Sequence, residues 1–227
     1  MYTKILPTLA IAALVAGCSS TPEVQTGDNA EVIEGTSLHK VDNSRVQMSY
    51  IDPDADLSKY NRVLVRPLGV DKVEIIQPSK TTSIAGRRDW VLTDKDKQAL
   101  QTVFHEVMVK QLQEKGGYEV VDEPGDDVLE IAAMITAIAP SGPKDDNRSR
   151  PTGRSQVYTE GAGSIAVAVA YGDSETGEVL GLAKDSRSSN SYWGANNSVS
   201  NMADVRRMFT SWAIAIRDGL DRVHGKK

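Results

Sequence analysis

The sequence predicts an α+β fold, in which a mixed, mostly antiparallel sheet of about five strands carries two amphipathic helices packed on one face. Two segments repeat apolar residues every three or four positions, and several shorter segments are apolar or alternate apolar and polar residues. These segments follow one another as strand, helix, four strands and helix. We expect antiparallel neighbours toward the C-terminus, while the strands on either side of the first helix could be parallel through a crossover.

The first strand and the first helix have clear boundaries. Segment 62–70 alternates as a strand, and Pro67 indicates an edge or the end of the strand because proline donates no backbone hydrogen bond. Residues 93–96 form a capping-box start for a helix, and Gly116-Gly117 ends it. Its apolar face is predicted to consist of Leu100, Val103, Phe104, Val107, Met108 and Leu112.

Four more strands follow the first helix. They are predicted at 118–122, 128–138, 164–171 and 178–184, and GDSETG between the last two has the length and turn chemistry of a hairpin loop. The strand at 164–171 has two different faces, which carry Ile165, Val167, Val169 and Tyr171 on one side and Ala166, Ala168 and Ala170 on the other. Because small side chains allow close approach, we expect a helix to pack on the alanine face.

The last helix is predicted to begin near Asn201. Its apolar stripe consists of Met202, Val205, Phe209, Trp212, Ile216, Leu220 and Val223. A stripe of this kind is typical of core packing, and a face for a partner helix is the alternative.

The N-terminus has the layout of a secretory signal over residues 1–17. Lys4 precedes an apolar run, and Ala16-Gly17 supplies the small residues of a cleavage site. The uncharged stretch is about 13 residues long, whereas a membrane-spanning helix needs roughly 20. We therefore expect this segment to be removed rather than retained as a transmembrane anchor.

Residues 15–18, Val-Ala-Gly-Cys, resemble the lipobox of bacterial lipoproteins. The resemblance implies that the Cys18 thiol receives a diacylglyceryl group, that the signal is cut before Cys18 and that the new amino terminus is acylated, with palmitate as a typical chain. Several acyl chains make a lasting anchor. Ser19 in place of aspartate implies transport to the outer membrane of a Gram-negative bacterium, with the domain on the periplasmic face. The alternative is a plain signal peptide with an incidental cysteine.

The predicted organisation is a signal peptide (1–17), a lipidated cysteine with a flexible tether (18–45) and a single globular domain (46–227). The tether is predicted because its residues are mostly small and polar and show no sustained period. The formal net charge of −5 becomes −6 when Lys4 leaves with the signal. An acidic chain has no electrostatic case for binding nucleic acid.

No pattern in the chain specifies catalytic, metal-binding or cofactor-binding residues. HEVMV at 105–109 lacks the second histidine of a zinc-protease motif, and GAGSIA at 161–166 opens a strand where a dinucleotide site needs a helix. The acidic pairs 126–127 and 145–146 are interpreted as solvated turns. With its one cysteine assigned to lipid, the chain has no disulfide.

Two long polar segments are the candidate partner contacts. Segment 139–163 is longer than most loops and carries Arg148, Arg150 and Arg154, although it could equally be a dispensable insertion. Segment 185–201 is polar except for Tyr192 and Trp193. These aromatics could anchor a partner or fold back on the core.

The globular part is similar to a family of Gram-negative lipoproteins known as the domain of unknown function 3313. The similar stretches are 50–70, 117–141, 171–181 and 212–223. The resemblance implies an envelope lipoprotein with a mixed α/β fold and brings no catalytic residues. We therefore expect a non-catalytic, lipid-anchored envelope protein that binds an envelope partner. The alternative is an anchored hydrolase whose site is assembled from scattered polar residues.

Overall fold

The fold is that of a computed structural model, which describes residues 21–78, 89–141, 158–160, 163–189, 193–195 and 198–226. Its strands are β1 (Glu23–Val24), β2 (His39–Asp42), β3 (Met48–Ile51), β4 (Arg62–Val65), β5 (Glu74–Ile75), β6 (Glu119–Val121), β7 (Val128–Pro140), β8 (Tyr158–Glu160), β9 (Gly163–Asp173), β10 (Val179–Ser188) and β11 (Trp193–Ala195). Its helices are α1 (Asp94–Val109), which continues as a π-helical segment (Lys110–Lys115), and α2 (Ser198–Val223), besides a short 3₁₀ turn at Leu57–Lys59.

The described strands form one nine-stranded mixed sheet and a separate two-stranded sheet. The large sheet has the order β1-β2-β3-β10-β9-β7-β4-β6, and β5 pairs with the far end of β7. Strand β4 is parallel to β6 and β7, β5 is parallel to β7, and the other neighbours are antiparallel. The α+β class and the mostly antiparallel sheet are thus confirmed, but the prediction of about five strands is wrong. The additional strands are only two to four residues long, too short to show a period.

Residues 21–45 are part of the fold, which corrects the prediction of a flexible tether over 18–45 where the structure describes it. Strand β2 pairs antiparallel with β3, and Leu38 at its start is only 2% exposed. The Tyr50 hydroxyl of β3 donates a hydrogen bond of 2.7 Å to Glu31. This segment is ordered by pairing with a distant strand, and local sequence carries no signal of such pairing.

Helix α1 forms as its sequence predicts. The Asp96 amide donates to the Thr93 hydroxyl over 3.2 Å, and the Thr93 amide donates to the Asp96 carboxylate over 3.0 Å, which completes the capping box. All six predicted apolar residues are buried. Phe104 meets Phe209 of α2 edge to face, with 5.6 Å between the ring centroids. The two helices therefore share one core.

Helix α2 begins at Ser198, three residues before the predicted start. Its stripe packs into the core from Met202 to Leu220, which confirms the prediction of core packing. The exception is Val223, which is 40% exposed. This end of the stripe lines a pocket between α2 and the sheet.

The helices pack on the opposite face of the sheet from the one expected. Ile165, Val167 and Val169 of β9 are buried in the same cluster as the apolar residues of α1 and α2. The alanine face lines a shallow concavity of about 430 Å³, together with Ala132, Met134 and Leu182, and no residue of either helix lines it. The expectation was wrong because the space between sheet and helices has to be filled at close to crystal packing density. Branched side chains fill this space better than alanine.

The two segments predicted as long loops each contain a strand. Strand β8 belongs to segment 139–163 and β11 to segment 185–201, and the two pair antiparallel in the register Trp193–Glu160 to Ala195–Tyr158. Strand β7 also continues to Pro140 and β10 to Ser188. Each segment thus contains more strand residues than the sequence predicted.

Candidate functional site

A largely apolar pocket of about 540 Å³ lies between the C-terminal half of α2 and the helix-side face of the sheet. Its size falls within the range of small-molecule sites, about 300–1,000 Å³. Four parts of the chain surround it, namely the sheet, α2, the loop after β3 and the N-terminal strands.

The floor of the pocket is the inward face of three neighbouring strands. Its residues are Ser49 and Ile51 of β3, Gly181, Ala183 and Asp185 of β10, and Val167, Val169 and Tyr171 of β9. At Gly181 an added Cβ would lie 3.1 Å from the Tyr50 carbonyl oxygen and 3.5 Å from the Tyr171 ring. Because Gly181 and Ala183 of β10 are small, they leave space between the sheet and α2.

The opposite wall is α2 itself, which presents Trp212, Ala215, Ile216, Gly219 and Val223 to the pocket. Trp212, Ile216, Gly219 and Val223 step by three or four along the helix, and Ala215 lies beside Ile216, so the five positions share one face. A Cβ added at Gly219 would meet no atom within 4 Å apart from the local helix backbone. The glycine thus leaves open space in the middle of this wall.

Asp185 is buried in the pocket wall and is committed to structural hydrogen bonds. One carboxylate oxygen accepts from the Trp212 indole nitrogen over 2.7 Å and from Arg187 over 2.9 Å. The other accepts from the Gln47 amide over 3.1 Å. These hydrogen bonds hold α2 against β10.

Asp52, on the loop side of the pocket, is bonded in a similar way. It accepts hydrogen bonds from the Ser37 hydroxyl and from the Asp54 amide. These two donors, Ser37 first, hold the pKa of the Asp52 carboxyl below its usual range. Asp52 therefore stays ionised and ties the loop to the segment before β2.

Tyr171 supplies a polar group on the floor that remains available. Its hydroxyl has no hydrogen-bond partner among the residues that the structure describes. Burial raises the pKa of this hydroxyl, so it stays protonated and can donate one hydrogen bond. A protonated phenol in an apolar pocket can orient a ligand that carries a carbonyl or ether oxygen.

The described lining of this pocket includes none of the site residues predicted from the sequence. Cys18, Arg148, Arg150, Arg154 and Tyr192 lie outside the described residues. The backbone of Trp193 lies in β11 and pairs with β8. The prediction that these positions contact a partner therefore stays a prediction.

Two further properties concern the described residues alone. No group of three or more His, Cys, Asp or Glu side chains in this part of the chain could hold a metal ion. Neither of its helices combines the length and the apolar composition that crossing a bilayer requires.

A family model described as "Protein of unknown function (DUF3313)" matches residues 36–216 of the chain. This match covers most of the sequence. The chain belongs to this family. The matched region starts before β2 and ends within α2, so the family definition includes part of the segment that the sequence alone suggested was a tether.

No curated protein matches this DUF3313 sequence. Its chain path is similar to that of several solved structures. They include a candidate lipoprotein from Caulobacter crescentus, with a TM-score of 0.34, 10% identity and coverage of 76% of this chain and 95% of that chain. A candidate homologue of the neuraminyllactose-binding hemagglutinin from Helicobacter pylori gives a TM-score of 0.38, 13% identity and coverage of 74% and 87%. A PelC dodecamer from Paraburkholderia phytofirmans gives a TM-score of 0.34, 8% identity and coverage of 69% and 89%. The TM-scores are too low for any of the three to carry a functional assignment.

Sequence reasoning on this family member missed Tyr171, Asp185 and Gly219 as pocket residues. Tyr171 lies in a strand whose period predicts an inward face but not whether a helix covers it, and Asp185 lies in β10 beyond the end of the predicted strand at 184. Gly219 did carry a signal, since it interrupts a helix interior between Ile216 and Leu220 of the apolar stripe. Glycine is unfavourable there, and such a position can mark a place where space is kept open.

We expect Gly219→Ala to raise the free energy of unfolding by about 0.5–1 kcal/mol, because alanine is the better helix former and its methyl group meets open space. Urea titration of the purified protein would measure the change. Gly117→Ala is the matched control. An added Cβ meets nothing within 4 Å there either, but φ is +71°, so this variant should be less stable than the wild type. A destabilised Gly219→Ala variant would mean that the pocket wall is closed at this point.

Proposed function

We propose that this protein is a lipid-anchored cell-envelope protein of a Gram-negative bacterium, that its domain acts by binding rather than by catalysis, and that the ligand is an acyl chain. The proposal places the domain on the periplasmic face of the outer membrane, as the Cys18 and Ser19 pattern implies. An envelope protein partner at Arg148, Arg150, Arg154, Tyr192 and Trp193 remains part of the expectation.

The pocket beneath α2 is the observation that carries the binding proposal. It is deep enough to take a molecule, and its walls are mostly aliphatic and aromatic. A long acyl chain gains about 0.8 kcal/mol for each CH₂ group transferred from water to such a site. One hydrogen-bond donor, the Tyr171 hydroxyl, stands ready for the oxygen atoms at the head of the chain.

The bonding of the pocket carboxylates favours binding over hydrolysis. General acid or base catalysis needs a group that can give or take a proton near the working pH. Asp185 is bonded to Trp212 and Arg187, and Asp52 is held ionised by Ser37. Tyr171 is held protonated by burial. Asp52 and Tyr171 are thus each held in one protonation state, and the oxygens of Asp185 are occupied by structural hydrogen bonds.

The anchor is tested by replacing the cysteine. We expect Cys18→Ala to lose metabolic labelling with an alkyne analogue of palmitate and to lose fractionation with the outer membrane. Ser20→Ala is the control, since it changes a nearby small residue and leaves the thiol in place. Labelled, normally fractionated Cys18→Ala protein would show that the anchor does not depend on this residue.

The pocket is tested by titrating the unlipidated Cys18→Ala chain with a fluorescent polyene fatty acid. We expect saturable binding of one molecule per chain, with energy transfer from Trp212, which lines the pocket. Adding Gly219→Leu or Ala215→Phe should abolish binding, because both positions line the pocket. Ala203→Phe adds the same bulk at an exposed position of the same helix and should bind normally. Absence of saturable binding, or binding that both filled-pocket variants retain, would contradict the proposal.

A further inference from the structure

We propose that the pocket beneath α2 holds one of the acyl chains attached to Cys18 of the same molecule. This inference rests on the proposed function, because it needs both a lipid on Cys18 and a pocket that accepts an acyl chain. It goes further by naming the occupant and by assigning a role to the N-terminal strands. The domain would then bind one acyl chain of its own anchor, instead of being separated from the anchor by a flexible tether.

Few residues separate Cys18 from the lining of the pocket. Pro22 and Val24 line the pocket, and Cys18 precedes Pro22 by four residues. Four extended residues span at most about 14 Å. An anchor at Cys18 is therefore attached close to the pocket, within a distance that a long acyl chain can cover.

Strand β1, which follows Pro22 and contains Val24, is held beside the pocket. Strand β1 pairs with β2, with Val24 opposite Val41. The Gln25 amide donates to the Lys40 carbonyl over 2.8 Å, and His39 Nδ1 lies 2.7 Å from the Gln25 carbonyl oxygen. Val41 is buried and also lines the pocket. These bonds hold the first described residues of the chain beside the pocket.

The chemistry of a lipidated cysteine suits the pocket. A lipidated cysteine brings long alkyl chains, which suit the aliphatic walls, and ester and amide carbonyls, which can accept a hydrogen bond. Tyr171 supplies a donor that has no partner in the described part of the chain. The ligand with both features that lies nearest in the sequence is the chain's own anchor.

A basic residue of the pocket can also contact the membrane surface. Arg222 lines the same pocket, is exposed and pairs with no acid among the described residues. A cation near an anionic lipid surface contributes about 1 kcal/mol. If one of three acyl chains occupies the pocket, two chains still insert in the bilayer, and two suffice for stable anchoring. Because the third chain is held in the pocket, the orientation of the domain on the membrane is fixed. The other two chains keep the protein anchored.

The test uses the full-length, lipidated protein in its native envelope. Cells are fed a fatty acid carrying a diazirine and an alkyne, the envelopes are irradiated, and crosslinked peptides are identified by mass spectrometry. We expect crosslinks from the Cys18 lipid to the segment 212–223 of α2 and to 167–171 of β9. Mixing isotopically light and heavy chains distinguishes crosslinks within one molecule from those between two copies.

The filled-pocket variant decides the interpretation. Gly219→Leu should keep the lipid label on Cys18 and lose the crosslinks to 212–223, while Ala203→Phe should keep both. A labelled wild-type protein that crosslinks only to membrane lipids or to a second copy would overturn the inference. If the Cys18→Ala chain nevertheless binds the polyene fatty acid, the proposed acyl-binding function survives that result. A wild-type chain that carries no label at all would overturn the anchor, and with it both proposals.

Discussion

Replacing Trp212 with alanine is expected to lower the free energy of unfolding by about 3–5 kcal/mol. Trp212 is 6% exposed and lies in the middle of the buried stripe of α2. Its ring lies 6.0 Å from that of Phe209, and its indole nitrogen donates to Asp185 over 2.7 Å. Truncation thus removes a large apolar surface and one of the hydrogen bonds of a buried carboxylate.

The contribution of the hydrogen bond can be separated from that of the ring. Trp212→Phe keeps an aromatic side chain and removes the N–H donor, so we expect a smaller loss of about 1–3 kcal/mol. Thermal and urea unfolding would measure both variants. An unchanged unfolding midpoint in Trp212→Ala would mean that the stripe does not pack in the core and that a partner-helix role for α2 should be reconsidered.

Replacing Asp173 with alanine is expected to cost roughly 2–4 kcal/mol, because buried donors that lose their acceptor cost about 1–3 kcal/mol each. Asp173 ends β9 and is 6% exposed. It accepts from the Tyr60 hydroxyl over 2.8 Å and from Lys59 over 3.0 Å. It also accepts from the backbone amides of Glu175 and Thr176, over 3.0 and 2.9 Å. The carboxylate thus joins the hairpin turn to the segment before β4.

The same carboxylate makes stability depend on acid. The Thr176 amide, Lys59 and the Tyr60 hydroxyl hold the pKa of Asp173 well below its usual range. Because the pKa is lowered in the folded state, the stabilisation is complete above the unfolded value of about 4 and is lost as the pH falls through the folded value. Asp173→Asn, which cannot titrate, should lose less stability than the wild type between about pH 5 and pH 2. Parallel stability curves for the two proteins over this range would contradict the assignment.

The elements that the sequence predicts correctly are those whose signal lies within one segment. The capping box at Thr93 and the stripe from Leu100 to Leu112 predict α1. The turn chemistry of GDSETG predicts the hairpin of β9 and β10. In each case neighbouring residues interact with one another, so the local pattern contains the cause of the structure.

The sequence fails where the stabilising partner is distant. Strands β1 and β2 show no period of their own. Strand β1 depends on pairing with β2, and β2 depends on pairing with β3. Strands β8 and β11 come from two separate polar segments, and among the strands that the structure describes they pair with each other alone. The alternation in β9 predicts two faces, but the volume to be filled beneath the helices decides which face is inward.

The sequence by itself determined the class of fold, the two helices, the hairpin and the expectation of an anchor at Cys18. Only the tertiary structure decided that a pocket exists and which residues form it. Its walls combine Pro22, Tyr171, Gly219 and Val223, which lie up to about two hundred positions apart. A pocket is the space left when such elements fail to meet fully, and no local pattern of side chains specifies the angle at which a helix leaves a sheet.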